Sequence, residues 1–153
     1  MNWHAHVTVA TVVEREGRFL LVEETKGGKK VLNQPAGHLE PNESLIQAAI
    51  RETLEETAWS VRIDGLVGIG LYTAPSNGVT YYRTTFHATA LEYHSARALD
   101  ADIDRALWLT LEEVKAEKAR LRSPLVLQAI EHYMAGHRYP LSMILEHEAP
   151  LER

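Results

Sequence analysis

Apolar and polar residues fall along this chain in short β-type runs that alternate with helical stretches. VTVATVV (Val7 to Val13) is β-branched and uninterrupted, the pattern of a buried strand. RFLLVEE (Arg18 to Glu24) is a second such run, and EREG between them is a turn signal, so the pair reads as a hairpin. KGGKK (Lys26 to Lys30) reads as a flexible basic loop, and VLNQPAGHLEPNE as irregular chain broken by Pro35, Gly37 and Pro41. Ser44 and Gln47 stand at capping-box spacing and open a helix. Two longer strands follow, Val61 to Leu71 and Tyr81 to Leu91, with APSNG as the turn between them. ALDADIDRALWLT holds an acidic loop and a short strand, Ala106 to Leu109. LEEVKAEKARL begins a helical region, and Ser123-Pro124 opens a last helix to about Met134, stopped by Gly136. Strands, helix, strands, helices, with hairpins among the β elements, is an α+β or mixed α/β order and not a repeating βαβ pattern.

The first of those helices carries an anomaly. Projected at about 100° per residue from Ile46, the residues Ala49, Ile50, Thr53, Leu54 and Thr57 all fall within about 80° of it and form a stripe that would face a sheet. Glu55, Glu52 and Glu56 fall near 180°, 240° and 280°, a compact acidic patch directed away from that stripe. Like charges at this spacing repel, and the carboxyl-terminal end of a helix disfavours carboxylates. A solvated face is the ordinary explanation for acidic residues on a helix. Here no lysine is interleaved, and the patch sits where the helix dipole makes it worse. A hard divalent cation would reverse the sign of the effect. Magnesium takes oxygen ligands and is usually held by a few carboxylates together with substrate phosphates. Glu52 and Glu56, at i and i+4, can reach one ion, and Glu55 can reach it or a neighbour.

Composition narrows the field without choosing within it. The 153 residues suit one domain, 1–153, with a core over about 4–135 and an extension over 136–153. A hydrophobic content of 45% and a charged content of 24% are ordinary for a globular protein. The net charge of −5 argues against a binder of nucleic-acid backbones. The absence of cysteine excludes disulfides, thiolate metal sites and cysteine nucleophiles. No apolar run is long enough to span a bilayer, and the first residues, MNWHAHVTVATVV, lack a signal-peptide pattern, so the expected compartment is the cytoplasm. Monomer and homodimer stay equally open.

The flanks of the acidic patch extend it to a motif, G-x5-E-x7-R-E-x-x-E-E, made by Gly37, Glu43, Arg51, Glu52, Glu55 and Glu56. Six such residue types fall in register by chance on the order of once in ten million placements. The stretch from Gly37 to Trp59 resembles the Nudix box, the signature of hydrolases that cleave nucleoside diphosphates linked to another moiety. Two positions depart from the box: Thr53 replaces an aliphatic residue, and Ala58 replaces a glycine. If the backbone is left-handed at Ala58, its Cβ costs about 1–2 kcal/mol.

HVTVATVV, EGRFLLVEET, NQPAGHLE, LRSPLV and GHRYPLSMI look similar to the bacterial NudJ phosphatase subfamily over about residues 4–145. The resemblance implies a Nudix α/β/α sandwich with a mixed sheet between helices. It implies Mg²⁺ dependence, with Mn²⁺ as a substitute. The implied activity removes terminal phosphate from nucleoside tri- and diphosphates and hydrolyses hydroxymethylpyrimidine pyrophosphate. Small phosphorylated molecules are thus the expected partners, with no nucleic acid and no membrane.

Within that frame Glu52 and Glu56 are the principal metal ligands, Glu55 is a further ligand or acts through water, and the Gly37 carbonyl could join the shell. Arg51 would orient the carboxylates, with Glu43 as its partner. The general base is open among Glu52, Glu56 and the loop residues Asp100, Asp102 and Asp104, of which Asp102 and Asp104 are the selected pair. Arg83, mid-strand in YYRTTFHA, could clamp a phosphate or pair with a carboxylate on the sheet, and His38 is expected near the phosphates. Lys26, Lys29 and Lys30 could draw in an anionic substrate. A zinc site built on His4 and His6 lacks a third ligand at an informative spacing. Two other functions remain: a Nudix pyrophosphatase of ADP-ribose or dinucleoside polyphosphates, and a non-catalytic Nudix-like sensor, which typically loses the carboxylates this chain retains.

Overall fold

The computed structural model of the protein describes residues 2–146. Met1, and the part of the expected extension from 147 to 153, lie outside the described residues. Among the described residues seven strands and three α-helices follow one another as β1 (His6–Arg15), β2 (Arg18–Lys26), β3 (Lys29–Asn33), β4 (Ala36–His38), α1 (Leu45–Thr57), β5 (Trp59–Thr73), β6 (Thr80–Tyr93), β7 (Ile103–Thr110), α2 (Leu111–Ala116) and α3 (Pro124–Met134). The sheet order is β3-β2-β1-β6-β5, with β4 paired to β1 and β7 to β2. β1 and β6 run parallel, and the other pairs are antiparallel, so the sheet is mixed as expected.

The site owes its existence to a parting of strands. β1 and β2 pair at their hairpin end alone, through Glu14 with Phe19 and Arg15 with Arg18. Beyond that point they diverge, and β4 takes the open edge of β1 through Thr8 with His38, Val9 with Gly37 and Ala10 with Ala36. The chain therefore builds two sheets that share β1, with a cleft along their split.

Helices cover both faces. On one, Ala48 and Ala49 of α1 pack with Val9, Val13, Val61, Leu66 and Phe86. On the other, Val114 of α2 and Val126 and Ile130 of α3 pack with Val12, Phe19, Leu21 and Val67. Burying such side chains stabilises by about 1.5–3 kcal/mol each, which fixes both helix layers relative to the strands that carry the site.

Several expectations need correction. Lys26 to Lys30 is not a flexible loop. Lys26 pairs with Lys29 across a two-residue turn, Gly27-Gly28, with both glycines at positive φ. That is the geometry a right-twisted hairpin requires, and Gly-Gly is one of its sequence signals. The irregular stretch after it contains two strands. β7 starts earlier than Ala106, at Ile103, because Asp104 and Arg105 face outward and are satisfied across the strands by Lys30 and Glu23. The helical region after Thr110 stops at Ala116 and continues as a 3-10 turn over Lys118–Arg120.

The other boundaries agree with the residues. Ser44 caps α1 with a complete capping box, and Ser123 caps α3 with Pro124 in its first turn. Ala58 ends α1 in the left-handed conformation at φ 64°, with its N–H donating to the Leu54 carbonyl. The Thr53 hydroxyl, on the buried stripe, is satisfied by Thr11 Oγ1 at 2.8 Å and by the Ala49 carbonyl at 2.7 Å.

Candidate active site

The acidic residues of α1 are not a solvent-exposed patch. Glu56 is buried, and the Glu52 side chain is only 12% exposed. The helical projection already held the reason, since Glu56 at 280° lies about 20° from Ala49 at 300°. The second reason is β4, which lies over this flank of α1. The Ala36 N–H donates to Glu56 Oε1 at 2.9 Å. At Gly37 a Cβ would fall inside contact distance of all three atoms of the Glu52 carboxylate. The missing side chain is what lets strand and carboxylate meet.

Arg51 lies at the centre of the cluster. Its Nε donates to Glu43 Oε2 at 2.7 Å and its Nη2 to Glu43 Oε1 at 2.8 Å, a bidentate pair. Nη1 donates to Glu52 Oε1 at 2.6 Å and Glu55 Oε1 at 3.1 Å, and Nη2 also reaches the His38 carbonyl at 3.1 Å. The Arg51 hydrogen bonds hold the Glu43 carboxyl below its ordinary value, and Glu43 in turn raises the guanidinium further.

The acidic loop contributes one residue directly. Its backbone is pinned by the Asp100 N–H, which donates to the Glu55 carbonyl at 3.0 Å. Carboxylate oxygens of Glu52, Glu55 and Asp100 then lie within 4.8 Å of one another. An all-oxygen donor set at this separation fits a hard divalent cation. Asp102 lines the cleft. Asp104 does not: it accepts from Thr25 Oγ1 at 2.7 Å and Lys30 Nζ at 2.9 Å, so its expected place in the site is corrected.

The cleft has a volume of about 810 Å³. Glu52, Glu56, Gly37, Arg83, Asn33 and Arg122 all line it. Arg83 is buried as the strand pattern suggested, but among the described residues no carboxylate is hydrogen-bonded to it. Its Nη2 donates to Gln34 Oε1 at 2.7 Å and to Asn33 Oδ1 at 3.2 Å, and its Nε has no partner. Burial lowers its pKa to about 10, with Glu56 and Glu24 opposing from a distance.

His38 lines the cleft with its Nε2 3.1 Å from His6 Nδ1, and burial lowers its pKa. His4 precedes β1 rather than sharing a strand with His6, although the two rings stack at 5.5 Å. Lys26 reaches the cleft, whereas Lys30 is engaged by Asp104. Arg138 lies over the Tyr133 ring, 4.1 Å from its centroid. Asn33, Gln34 and the buried Glu24, which pairs with Arg122 at 2.8 Å, were not singled out by sequence reasoning. Two adjacent amides before Pro35 were the only signal for Asn33 and Gln34.

Metal-free electrostatics give a testable consequence. Burial raises the Glu56 pKa to about 9, with the neighbouring carboxylates Glu52, Glu24 and Asp100 adding to it. The folded state therefore holds a proton that the unfolded chain releases near its ordinary value of 4.5. Stability from this group is full below that value and is lost as pH rises through about 9. Between pH 7 and 9 the melting temperature of metal-free protein is expected to fall. Excess divalent cation, or Glu56→Gln, is expected to flatten the slope. Thermal melts at fixed ionic strength check it, and an equal slope in Glu56→Gln would assign the effect elsewhere.

A family model described as the NUDIX domain matches residues 3–130. The phosphatase NudJ of Escherichia coli strain K12 is 42% identical over 148 residues, which is 97% of this chain and 95% of that protein. A Nudix hydrolase of known structure from Nitrosomonas europaea superposes with a TM-score of 0.94 at 47% identity, over 96% of this chain and all of that one. An ADP-ribose pyrophosphatase from Streptococcus suis shares the fold, with a TM-score of 0.65 at 12% identity over 89% of this chain and 96% of that one. With its motif folded into a carboxylate-lined cleft and these relatives matched over nearly its full length, the chain belongs to the Nudix hydrolase family.

Proposed function

We propose that the protein is a Mg²⁺-dependent phosphohydrolase that removes the terminal phosphate from nucleoside tri- and diphosphates and from hydroxymethylpyrimidine pyrophosphate. The observation that carries the reading is a pairing of opposite charges: the carboxylates Glu52 and Glu56 and the buried guanidinium of Arg83 line one cleft, Glu55 and Asp100 stand beside Glu52, and Arg83 has no carboxylate hydrogen-bond partner among the described residues. Negative charge alone would repel a diphosphate, and positive charge alone would hold it without activating it. The likeness to a NudJ phosphatase over nearly the whole chain supports terminal cleavage in particular.

Glu52, Glu55 and Glu56, with Asp100 and the Gly37 carbonyl, would hold Mg²⁺, with Mn²⁺ as its substitute. When bound, the ion neutralises charge developing on the phosphate oxygens and acidifies water. Arg51 keeps the carboxylates in position, anchored by Glu43. Water adds to the terminal phosphorus, a new P–O bond forms, and the bridging P–O bond breaks. The leaving group keeps the bridging oxygen with its electron pair. A cleft carboxylate takes the proton from the water. Of the candidate bases, Glu52, Glu56 and Asp102 line the cleft. Arg83 would receive anionic oxygen, and Asp102 and His38, which line the cleft, would border the substrate.

Product analysis tests the reading. Incubation with Mg²⁺ and a nucleoside diphosphate, a nucleoside triphosphate or hydroxymethylpyrimidine pyrophosphate is expected to release inorganic phosphate. Release of nucleoside monophosphate from ADP-ribose or a dinucleoside polyphosphate, without terminal phosphate release, would replace this assignment by the pyrophosphatase one. No turnover of either class with Mg²⁺ or Mn²⁺ would leave a ligand-sensing role.

A further inference from the structure

Arg83 is held in an unusual way for a buried cation. Guanidinium groups removed from water are ordinarily compensated by carboxylates. The hydrogen-bond partners of Arg83 are two neutral amides, and both act on the same nitrogen, Nη2. Nε is unpartnered, and Nη1 makes no hydrogen bond among the described residues. Only 7% of the residue is exposed, and it lines the cleft.

The amide of Gln34 is itself fixed. Its Nε2 donates to the Val126 carbonyl of α3 at 2.7 Å, which forces its oxygen toward Arg83. The backbone around it is tied on both sides. The Leu32 carbonyl accepts from the Arg122 N–H at 2.7 Å, and the Pro35 carbonyl accepts from the Thr11 N–H at 3.1 Å. Gln34 is 1% exposed, so it touches Arg83 and α3 rather than the open cleft.

We propose that Gln34 is a positioning residue that fixes Arg83 through a neutral oxygen, so that the guanidinium keeps its full charge for a substrate phosphate. This inference rests on the reading of Arg83 as an anion-binding residue. An amide orients a guanidinium without discharging it, whereas a carboxylate of the same size would form an ion pair and compete with the substrate.

Gln34→Glu, Gln34→Met, Arg83→Gln and the double variant Gln34→Glu/Arg83→Gln test this in steady-state kinetics with a nucleoside diphosphate and saturating Mg²⁺. Circular dichroism melts establish folding. Gln34→Glu is expected to raise KM at least tenfold while kcat stays within about threefold. Gln34→Met, which frees the guanidinium without discharging it, is expected to raise KM less. If Gln34→Glu does not fold, Gln34→Met carries the test, and its KM must still rise. Arg83→Gln is expected to raise KM as much as Gln34→Glu, and the double variant no further. A Gln34→Glu enzyme with parental KM beside an impaired Arg83→Gln overturns the positioning role and leaves the Arg83 reading standing. Additive losses in the double variant also overturn it. Parental KM in Arg83→Gln overturns both.

Discussion

Replacing Glu56 by glutamine is expected to lower kcat/KM for Mg²⁺-dependent phosphate release by about three orders of magnitude, the several-kcal/mol scale of a divalent cation's contribution to such a transition state. The fold is expected to survive. Glutamine has the shape of the protonated acid, and its amide oxygen can still accept from the Ala36 N–H that now bonds to Oε1. Its stability at neutral pH should match or exceed that of the parent, since the buried ionisable group is gone. Loss of activity is therefore to be read beside a retained melting temperature and a weakened Mg²⁺ titration. A variant as active as the parent would remove Glu56 from the ligand set.

The second large effect is expected at Gly37→Ala. The added methyl group would occupy the space of the Glu52 carboxylate, which is the movable end of a side chain, so the carboxylate yields rather than the strand. Gly37 does not have a positive φ, and alanine there carries no backbone strain. Activity is expected to fall about 100-fold with little change in stability, because the geometry at a reacting centre tolerates displacements of less than about 1 Å. Parallel measurement of kcat/KM and Mg²⁺ affinity checks this. Full activity would show that the position of the Glu52 carboxylate does not matter.

Local chemistry made much of this structure legible in the sequence. Ser44 with Gln47, and Ser123 with Pro124, marked helix starts because caps act within one turn. The motif from Gly37 to Glu56 carried the acidic cluster because its register on one helix is fixed by chain geometry. What escaped was non-local. The hairpin through Gly27-Gly28 was misread as loop because lysines flank it, although the glycines supply the turn. The burial of Glu56 depended on β4, a three-residue strand too short to show a period. In the acidic loop the sequence favoured Asp102 and Asp104 over Asp100, the aspartate that joins the cluster. A single hydrogen bond from Asp100 to the end of α1 brings that residue to the cluster, while Lys30 and Thr25 hold Asp104 elsewhere. Gln34 had no signal beyond its type, since its two partners lie 49 and 92 residues away.

Arg51 has one last implication. By gripping Glu43, Glu52 and Glu55 at once, it already serves as a resident counter-ion for the cluster. Without a bound ion the three carboxylates would thus stay gathered around this counter-ion. A divalent cation placed there would have to share or displace the oxygens of Glu52 and Glu55 that Arg51 now holds, while the bidentate pair with Glu43 would keep the arginine anchored.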